Sequence, residues 1–306
     1  MTETTMRNTA VIGLGQMGRG IAANLDRAGL LAAAWDIDPA AFARAGLSSA
    51  VANSPPGTLD ARGAMVLFVV PSSREIEACL VGADGLLATD ARDQILVDLT
   101  TSNPADTARL AERARAAGRT YIDGGMTGGA AGADSGRLTL MLGGDTAAVE
   151  RCRPILERIA AKIFHVGGSG AGHTLKLIHN MILHTGFLAT CEGCRLAERA
   201  GLDLATVIEV LNAGNARSFV TEVRFPKHIV SQTFDGRSRV ANLAKDLGMA
   251  VDLAQALGAP AIYGPLTAAL LDCAVRSGRA DDDFTRLYTI MDDLLTSHAA
   301  GRSTLP

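Results

Sequence analysis

Between Lys162 and Glu192 the chain carries a single formally charged side chain, Lys176, in the stretch GHTLKLIHN. The 15 residues that follow, Leu177 to Cys191, contain no Asp, Glu, Lys or Arg. A helix that is apolar on every side is a buried helix, and a lysine there is costly unless it is paired, neutral or used. Reducing a carbonyl leaves an alkoxide that takes up a proton, and the reverse reaction needs a base. A lysine serves both directions when burial and a neighbouring positive ring weaken its hold on its proton. Asn180 lies four residues on, on the same helical face, where its amide can orient a substrate oxygen or hold the lysine. The competing reading is a Lys176 that snorkels to the surface from near its helix start.

A proton donor needs a reaction partner, and the N-terminal stretch VIGLGQMGRGIAANL supplies the setting for one. Gly13, Gly15 and Gly18 follow an apolar strand and open a helical pattern, the context that makes a Gly-x-Gly-x-x-Gly spacing informative. The first glycine permits a tight turn, the second a close approach of backbone to a pyrophosphate, and the third close packing of helix on strand. The helix N-terminus then offers unpaired N–H groups to phosphate. An ordinary glycine-rich β–α turn is the bland alternative. Asp36 ends the second apolar run, 18 residues after Gly18, near where an acid grips a ribose diol. Asp38 follows, and no Lys or Arg appears before Arg44, so a 2′-phosphate meets negative charge. These residues predict NAD(H) in preference to NADP(H).

Two kinds of element must position these groups. TAVIGLG (9–15), LLAAAWD (30–36), AMVLFVV (64–70), QILVDL (94–99) and TYIDGG (120–125) read as strands separated by helical segments. The clearest of those segments is PADTARLAERARAAG (104–118), with an early Pro, an apolar stripe and a closing Gly. Such alternation predicts an α/β fold with a parallel, doubly wound sheet. RLTLMLGG (137–144) alternates and is expected as an antiparallel or mixed edge strand, and KIFHVG (162–167) closes the domain. From Gly170 onward only helical patterns remain, near 172–200, 203–213, 217–231, 239–258 and 264–296. The boundary is expected in GGSGAG, giving domains 1–168 and 169–306.

With 306 residues the chain is long enough for two domains with separate cores. At 48% hydrophobic and 20% charged residues it reads as a soluble globular protein rather than a disordered chain. Net charge −3 gives no electrostatic footprint for nucleic acid, and 4% aromatics leave little to stack bases on. The polar lead MTETTMRN runs into an apolar strand without a signal-peptide pattern. The uncharged run 177–191 is short for a membrane span and holds His179, His184, Asn180 and Gly186. Five scattered cysteines suit a reducing cytoplasm. Cys191 and Cys194 lie inside the apolar helix without further ligands, so they read as buried small hydrophobes rather than a redox or metal site. No metal site is expected.

Four motifs, in order, resemble the β-hydroxyacid dehydrogenase family, which includes 3-hydroxyisobutyrate dehydrogenases and tartronate semialdehyde reductases. GLGQMG (Gly13, Leu14, Gly15, Gln16, Met17, Gly18) is similar to its cofactor motif. DGGMTGG, Asp123 to Gly129, is similar to its Asp-Ala-Pro-Val-Ser-Gly-Gly motif, with Thr127 for the serine and Gly125 and Met126 for Pro and Val. KLIHN is similar to its Lys-x-x-Asn-Asn motif, with His179 for the first Asn, and FDGRSRVANLAKDLGMA carries a similar Lys245–Asp246 pair. The resemblance implies a Rossmann domain, an all-helical second domain joined by a long helix from about Gly172, and a homodimer or homotetramer. It implies that Lys176 is the catalytic acid/base with Asn180 beside it. Thr127, Gly128 and Gly129 would hold a substrate carboxylate, as successive N–H groups near glycines form anion nests. Lys245 would lie near nicotinamide or substrate, Asp246 would pair on the helix surface, and Pro71, Ser72 and Thr101 would line the cofactor.

Two features stay open. His179 points about 100° around the helix from Asn180, toward core or substrate. Arg217 and Arg224 in NARSFVTEVRFPK read either a second anionic group, from substrate or a partner subunit, or line a solvated helix face, which is the simpler reading. The leading expectation is an NAD-dependent enzyme interconverting a short 3-hydroxy acid, or a related hydroxy acid, and its semialdehyde or keto form. Its rivals are an imine reductase, which generally lacks a lysine at this position, and a non-catalytic protein that senses NAD. Replacing Asp36 by Asn together with Ile37→Arg is predicted to move the kcat/KM ratio toward NADPH; equal use of both cofactors by the unaltered protein would contradict the reading of Asp36.

Overall fold

The computed structural model describes residues 8–59, 64–301 and 304; most of the polar lead, residues 1–7, lies outside them. The chain divides into two compact units, Met1–Lys176 and Leu177–Pro306.

In the first unit, among the described residues, an eight-stranded sheet runs in the order β3-β2-β1-β4-β5-β6-β7-β8. The strands are β1 (Thr9–Ile12), β2 (Leu31–Trp35), β3 (Ala52–Asn53), β4 (Met65–Phe68), β5 (Ile95–Asp98), β6 (Thr120–Thr127), β7 (Leu138–Gly143) and β8 (Ala160–Gly167). Strands β1 to β6 pair in parallel, β6 and β7 antiparallel, and β7 and β8 in parallel again. The alternating strand of 137–144 is therefore internal rather than an edge, because β8 pairs along its far side. Successive residues of one strand feed two different cores. Met65 and Leu67 join one apolar cluster, Val66 and Phe68 the other. A sheet buried on both faces explains why these strands read as continuous apolar runs.

Helices α1 (Gly18–Arg27), α2 (Pro39–Ala45), α3 (Ser73–Leu80), α4 (Pro104–Ala116), α5 (Gly129–Ser135) and α6 (Thr146–Leu156) connect the strands. Local chemistry sets their starts. Asp38, Asn103 and Asp145 cap α2, α4 and α6 by accepting backbone N–H groups, and Pro39 and Pro104 stand at first helical positions.

Helix α7 (Ala171–Arg199) is continuous through the unit boundary. The compact units divide after Lys176, later than the expected 168, because the first turns of α7 belong to the sheet unit. The Gly170 and His173 amides donate to Asp123 on β6 at 2.6 and 2.9 Å. A Cβ on Gly172 would lie 2.6 Å from the carbonyl oxygens of Asp123 and Met141, so only glycine allows this approach.

The second unit is helical: α8 (Leu204–Ala213), a π-helix over Val220–Val230, α9 (Val240–Ala256), α10 (Tyr263–Ala274) and α11 (Met291–Ala299) follow α7. Its core gathers Phe187, Cys191, Phe225, Leu247, Phe284 and Tyr288. Cys191 and Cys194 are buried there, with thiols that burial pushes up, Cys194 to about 11. Two expectations change. The segment 217–231 is π rather than α, with Pro226 inside it offering no N–H. The segment 264–296 is several pieces, because Gly278 takes φ +79° and a new turn starts under an Asp283 cap. Among the described residues, no helix is long and apolar enough to cross a membrane.

A Cβ at Gly18 would collide with the Gly13 carbonyl in the β1–α1 turn. Gly18→Ala is predicted to cost roughly 1–3 kcal/mol, read as a lower urea midpoint, and to weaken binding of NADH.

Candidate active site

The turn between β1 and α1 carries the glycine motif. Gly13 has φ +94° and its amide donates to the Trp35 carbonyl at 2.8 Å, tying the turn to β2. A side chain there would strike the Val69 carbonyl. Gly15 differs, since a Cβ on it meets nothing within 4 Å. Steric need thus fixes the first and third glycines, while the second lies where a ligand can come close to backbone. Leu14, Gln16 and Met17 complete the turn, and α1 begins at Gly18.

Asp36, just past β2, is braced on both oxygens. Oδ2 accepts the Leu14 amide at 2.6 Å and Oδ1 the Asp38 amide at 2.9 Å. A carboxylate offers about four lone-pair sites, so two backbone bonds leave capacity for a ribose diol. Arg44 is ion-paired with Asp38. The loops expected to line the cofactor differ in character. Ser72 caps α3, accepting the Arg74 amide at 3.3 Å and donating to Glu75 at 2.5 Å. Its neighbour Pro71 follows β4, and Thr101 is half-buried in the loop after β5. The glycine geometry and the braced acid fit a dinucleotide.

Lys176 is buried, at 9% exposure, and does not snorkel. Its Nζ donates to the Met126 carbonyl at 2.6 Å. A Cβ at Gly125 would lie 2.5 Å from the Lys176 Cβ, so the lysine stem rests on bare β6 backbone. No side chain fits under the stem as it lies here. Thr127, one residue beyond the acceptor carbonyl, ends β6 half-buried. Gly128 and Gly129 follow with φ of +119° and +61°, exposed, and lead into α5. Both φ values lie in the region that favours glycine. The structure therefore brings Lys176 to the strand that ends in Thr127, Gly128 and Gly129.

Several buried polar residues were given no role by the sequence. Asp123, fully buried, holds the start of α7 as described. Asp98, fully buried at the end of β5, accepts the Tyr121 hydroxyl at 2.7 Å and the Thr100 amide at 2.8 Å. His173 lies 3.8 Å from Asp98 through Nε2 and 2.6 Å from the Thr107 hydroxyl through Nδ1. Burial pushes the Asp98 carboxyl above the usual carboxylate range, against the pull of His173, Tyr121 and Thr100. Burial and Asp98 together push the Tyr121 phenol well up. The available signal was an acid closing each of two apolar strands, ILVD and YID, where an isolated carboxylate demands a partner.

In the second unit, Asn180 Nδ2 donates to Asp246 Oδ2 at 2.7 Å, and Asn180 Oδ1 lies 3.0 Å from His179 Nδ1. Asp246 is 9% exposed, which corrects the expectation of a surface pair: it anchors the asparagine. Lys245 Nζ lies 3.6 Å from Asp246 Oδ1 and is more exposed. His179 is half-buried beside Asn180. The Asn180 amide is held by Asp246 and His179. Also among the described residues, no group of three or more His, Cys, Asp or Glu side chains is placed to hold a metal ion.

Comparison with known proteins identifies the family. The family described as the NAD binding domain of 6-phosphogluconate dehydrogenase matches residues 8–167, and that described as NAD-binding of NADP-dependent 3-hydroxyisobutyrate dehydrogenase matches residues 170–291. The chain is 32% identical to an NAD-dependent L-serine dehydrogenase of Pseudomonas aeruginosa, over 94% of this chain and 98% of that protein. It is 31% identical to a 2-hydroxy-3-oxopropionate reductase of Escherichia coli, over 94% and 97%. A structure of Mycobacterium tuberculosis 3-hydroxyisobutyrate dehydrogenase with L-serine superposes with TM-score 0.84 at 29% identity, covering 94% of this chain and 99% of that one. The chain belongs to the β-hydroxyacid dehydrogenase family and is an oxidoreductase dependent on a nicotinamide dinucleotide.

Asp123→Asn keeps the shape but turns an amide toward one of two backbone donors. It is predicted to lower stability by about 2 kcal/mol in urea titration, and to reduce kcat more than it weakens NADH binding.

Proposed function

We propose that the protein interconverts a short 3-hydroxy acid, or a related hydroxy acid, and its semialdehyde or keto form, with Lys176 as general acid and base. The observation that carries this is the buried Lys176 ammonium, held 2.6 Å from the Met126 carbonyl beside Thr127. When bound, the nicotinamide gives or takes the hydride at the carbon that bears the oxygen. Lys176 gives a proton to that oxygen in reduction and removes it from the hydroxyl in oxidation. Its ammonium form offers three N–H donors, and the bond to the Met126 carbonyl fixes its direction. Thr127, Gly128 and Gly129 receive the carboxylate through the hydroxyl and backbone N–H groups. Asn180, fixed by Asp246, orients the reacting end of the substrate, and Lys245 adds positive charge for an anionic substrate or cofactor. Relatives named for L-serine, 2-hydroxy-3-oxopropionate and 3-hydroxyisobutyrate share the three-carbon unit of a carboxylate with oxygen at C3, and this supports a substrate of that class.

NADH is the preferred cofactor in this reading. Its support is the Asp36 carboxylate, which would repel a 2′-phosphate, and the pairing of Arg44, the first cation beyond it, with Asp38. Gly13, Leu14, Gly15, Gln16, Met17 and Gly18 receive the pyrophosphate, with Pro71, Ser72 and Thr101 lining the cofactor beyond. The sheet unit serves as the NAD-binding domain and the helical unit as the substrate and assembly domain of a cytoplasmic homodimer or homotetramer. The buried lysine at position 176 counts against an imine reductase, which generally lacks one there, and against a non-catalytic sensing protein.

Lys176→Ala is predicted to reduce kcat roughly 10²–10⁴-fold against a panel of 3-hydroxy acids and semialdehydes, followed by NADH absorbance, while NADH still binds. Unchanged turnover in that variant would remove Lys176 from the chemistry.

A further inference from the structure

Arg224 was read from sequence as part of a solvated helix face, and the structure puts it elsewhere. It sits on the π-helix over Val220–Val230 with its guanidinium 4.6 Å from the Phe284 ring centroid and 5.8 Å from those of Phe187 and Phe219. Phe284 and Phe187 belong to the buried core, whereas Phe219 is 55% exposed. The box thus has a closed floor and an outward wall. An arginine has five N–H donors in a planar fork. Among the described residues this one makes no hydrogen bond and no ion pair, and its Nη1 is buried without any partner.

Nearby carboxylates do not remedy this. Asp283 accepts the Thr285 amide and hydroxyl and the Arg237 amide. Glu222 faces Arg217 at 3.6 Å. Aromatic faces attract a guanidinium through its plane but leave its N–H edge unsatisfied. Nη1 is closed to solvent, so the edge that can meet a ligand is that of Nε and Nη2, and such an edge matches a carboxylate, which accepts two parallel N–H bonds. The backbone around it is also unusual, since π-helices are rare, occur mostly as single turns, and are frequent at functional sites, and this one runs for 11 residues.

From these observations we infer that Arg224 is the seat of an anion-binding site in the helical unit, which takes a carboxylate presented over the exposed Phe219 ring. The inference is independent of the reaction assigned above. The carboxylate comes either from a small acid in solution or from a second copy of this chain, and the two sources behave differently on dilution. Burial already pulls the Arg224 guanidinium down to about 10. A folded-state value below the unfolded one means that the charge costs stability throughout the neutral range. Arg224→Met, which fills the box with a thioether suited to aromatic rings, is therefore expected to fold at least as well as the unaltered chain.

The test uses the full chain without cofactor. Thermal unfolding is measured in sodium malonate or glutarate against sodium chloride of equal ionic strength, for the unaltered protein, Arg224→Met and Arg224→Lys. Sedimentation over a range of protein concentrations is run alongside. The Thr127–Gly129 segment also answers to carboxylates in the proposed reaction, so the reading is the part of the shift that Arg224→Met removes. A free acid as ligand predicts a rise in Tm of a few degrees that does not depend on protein concentration, is cut at least by half in Arg224→Met, and is only partly kept in Arg224→Lys. A carboxylate from a second copy predicts instead that Arg224→Met weakens self-association at least tenfold and that added malonate does the same to the unaltered protein. If Arg224→Met keeps both the whole carboxylate shift and the same self-association, the inference is wrong and the arginine only fills an aromatic box.

Discussion

The geometry around Lys176 depends on one buried carboxylate. Asp123 ends the apolar part of β6, and its two oxygens take the amides of Gly170 and His173, at the start of α7. A helix N-terminus exposes N–H groups that need acceptors, and its dipole favours negative charge there. The same interaction therefore satisfies the helix, neutralises a buried acid and sets the height of α7 against β6. Lys176 lies one to two turns further along, and Met126 lies three residues beyond Asp123. A shift of α7 along its axis would part the lysine from the Met126 carbonyl, so the carboxylate fixes the lysine's address.

Glycine makes that closeness possible. Gly172 lets the helix backbone meet the carbonyls of Asp123 and Met141, and Gly125 lets the lysine stem lie on the strand. Both are packing requirements on positions with ordinary φ, unlike Gly128 and Gly129, which take left-handed backbone. Gly18 plays the packing role again in the dinucleotide loop, where α1 meets the turn after β1. The glycine-rich composition is thus partly explained by approaches between backbone segments in the sheet unit.

Asp98, Tyr121, Thr107 and His173 form a buried polar cluster on the ends of β5, β6, α4 and α7. Such clusters are costly unless their members satisfy one another, and they specify one arrangement when they do. Here the cluster joins the end of the sheet to the first turn of α7. In the helical unit a shorter chain, Asp246 to Asn180, performs the equivalent service for the asparagine. Lys176 is held by the Met126 carbonyl and Asn180 by Asp246.

Much of this was legible in the residues alone. The apolar runs identify the strands of a sheet buried on both faces, the glycine spacing identifies the turn, and the uncharged run after Lys176 identifies a lysine that burial makes expensive. These are local signals, in which periodicity and composition report which way a residue faces. What they do not report is which buried polar group meets which. Asp98 and Tyr121 are 23 positions apart, Lys176 and Met126 50, Asn180 and Asp246 66, and their meeting follows from strand order and helix placement. The break at Gly278, the π form of 220–230 and the aromatic box around Arg224 likewise arise from packing in the helical unit. Sequence determined the class of fold, the cofactor turn and the candidate acid/base; tertiary structure decided the partners, because a hydrogen bond is settled by proximity that only the packed chain creates.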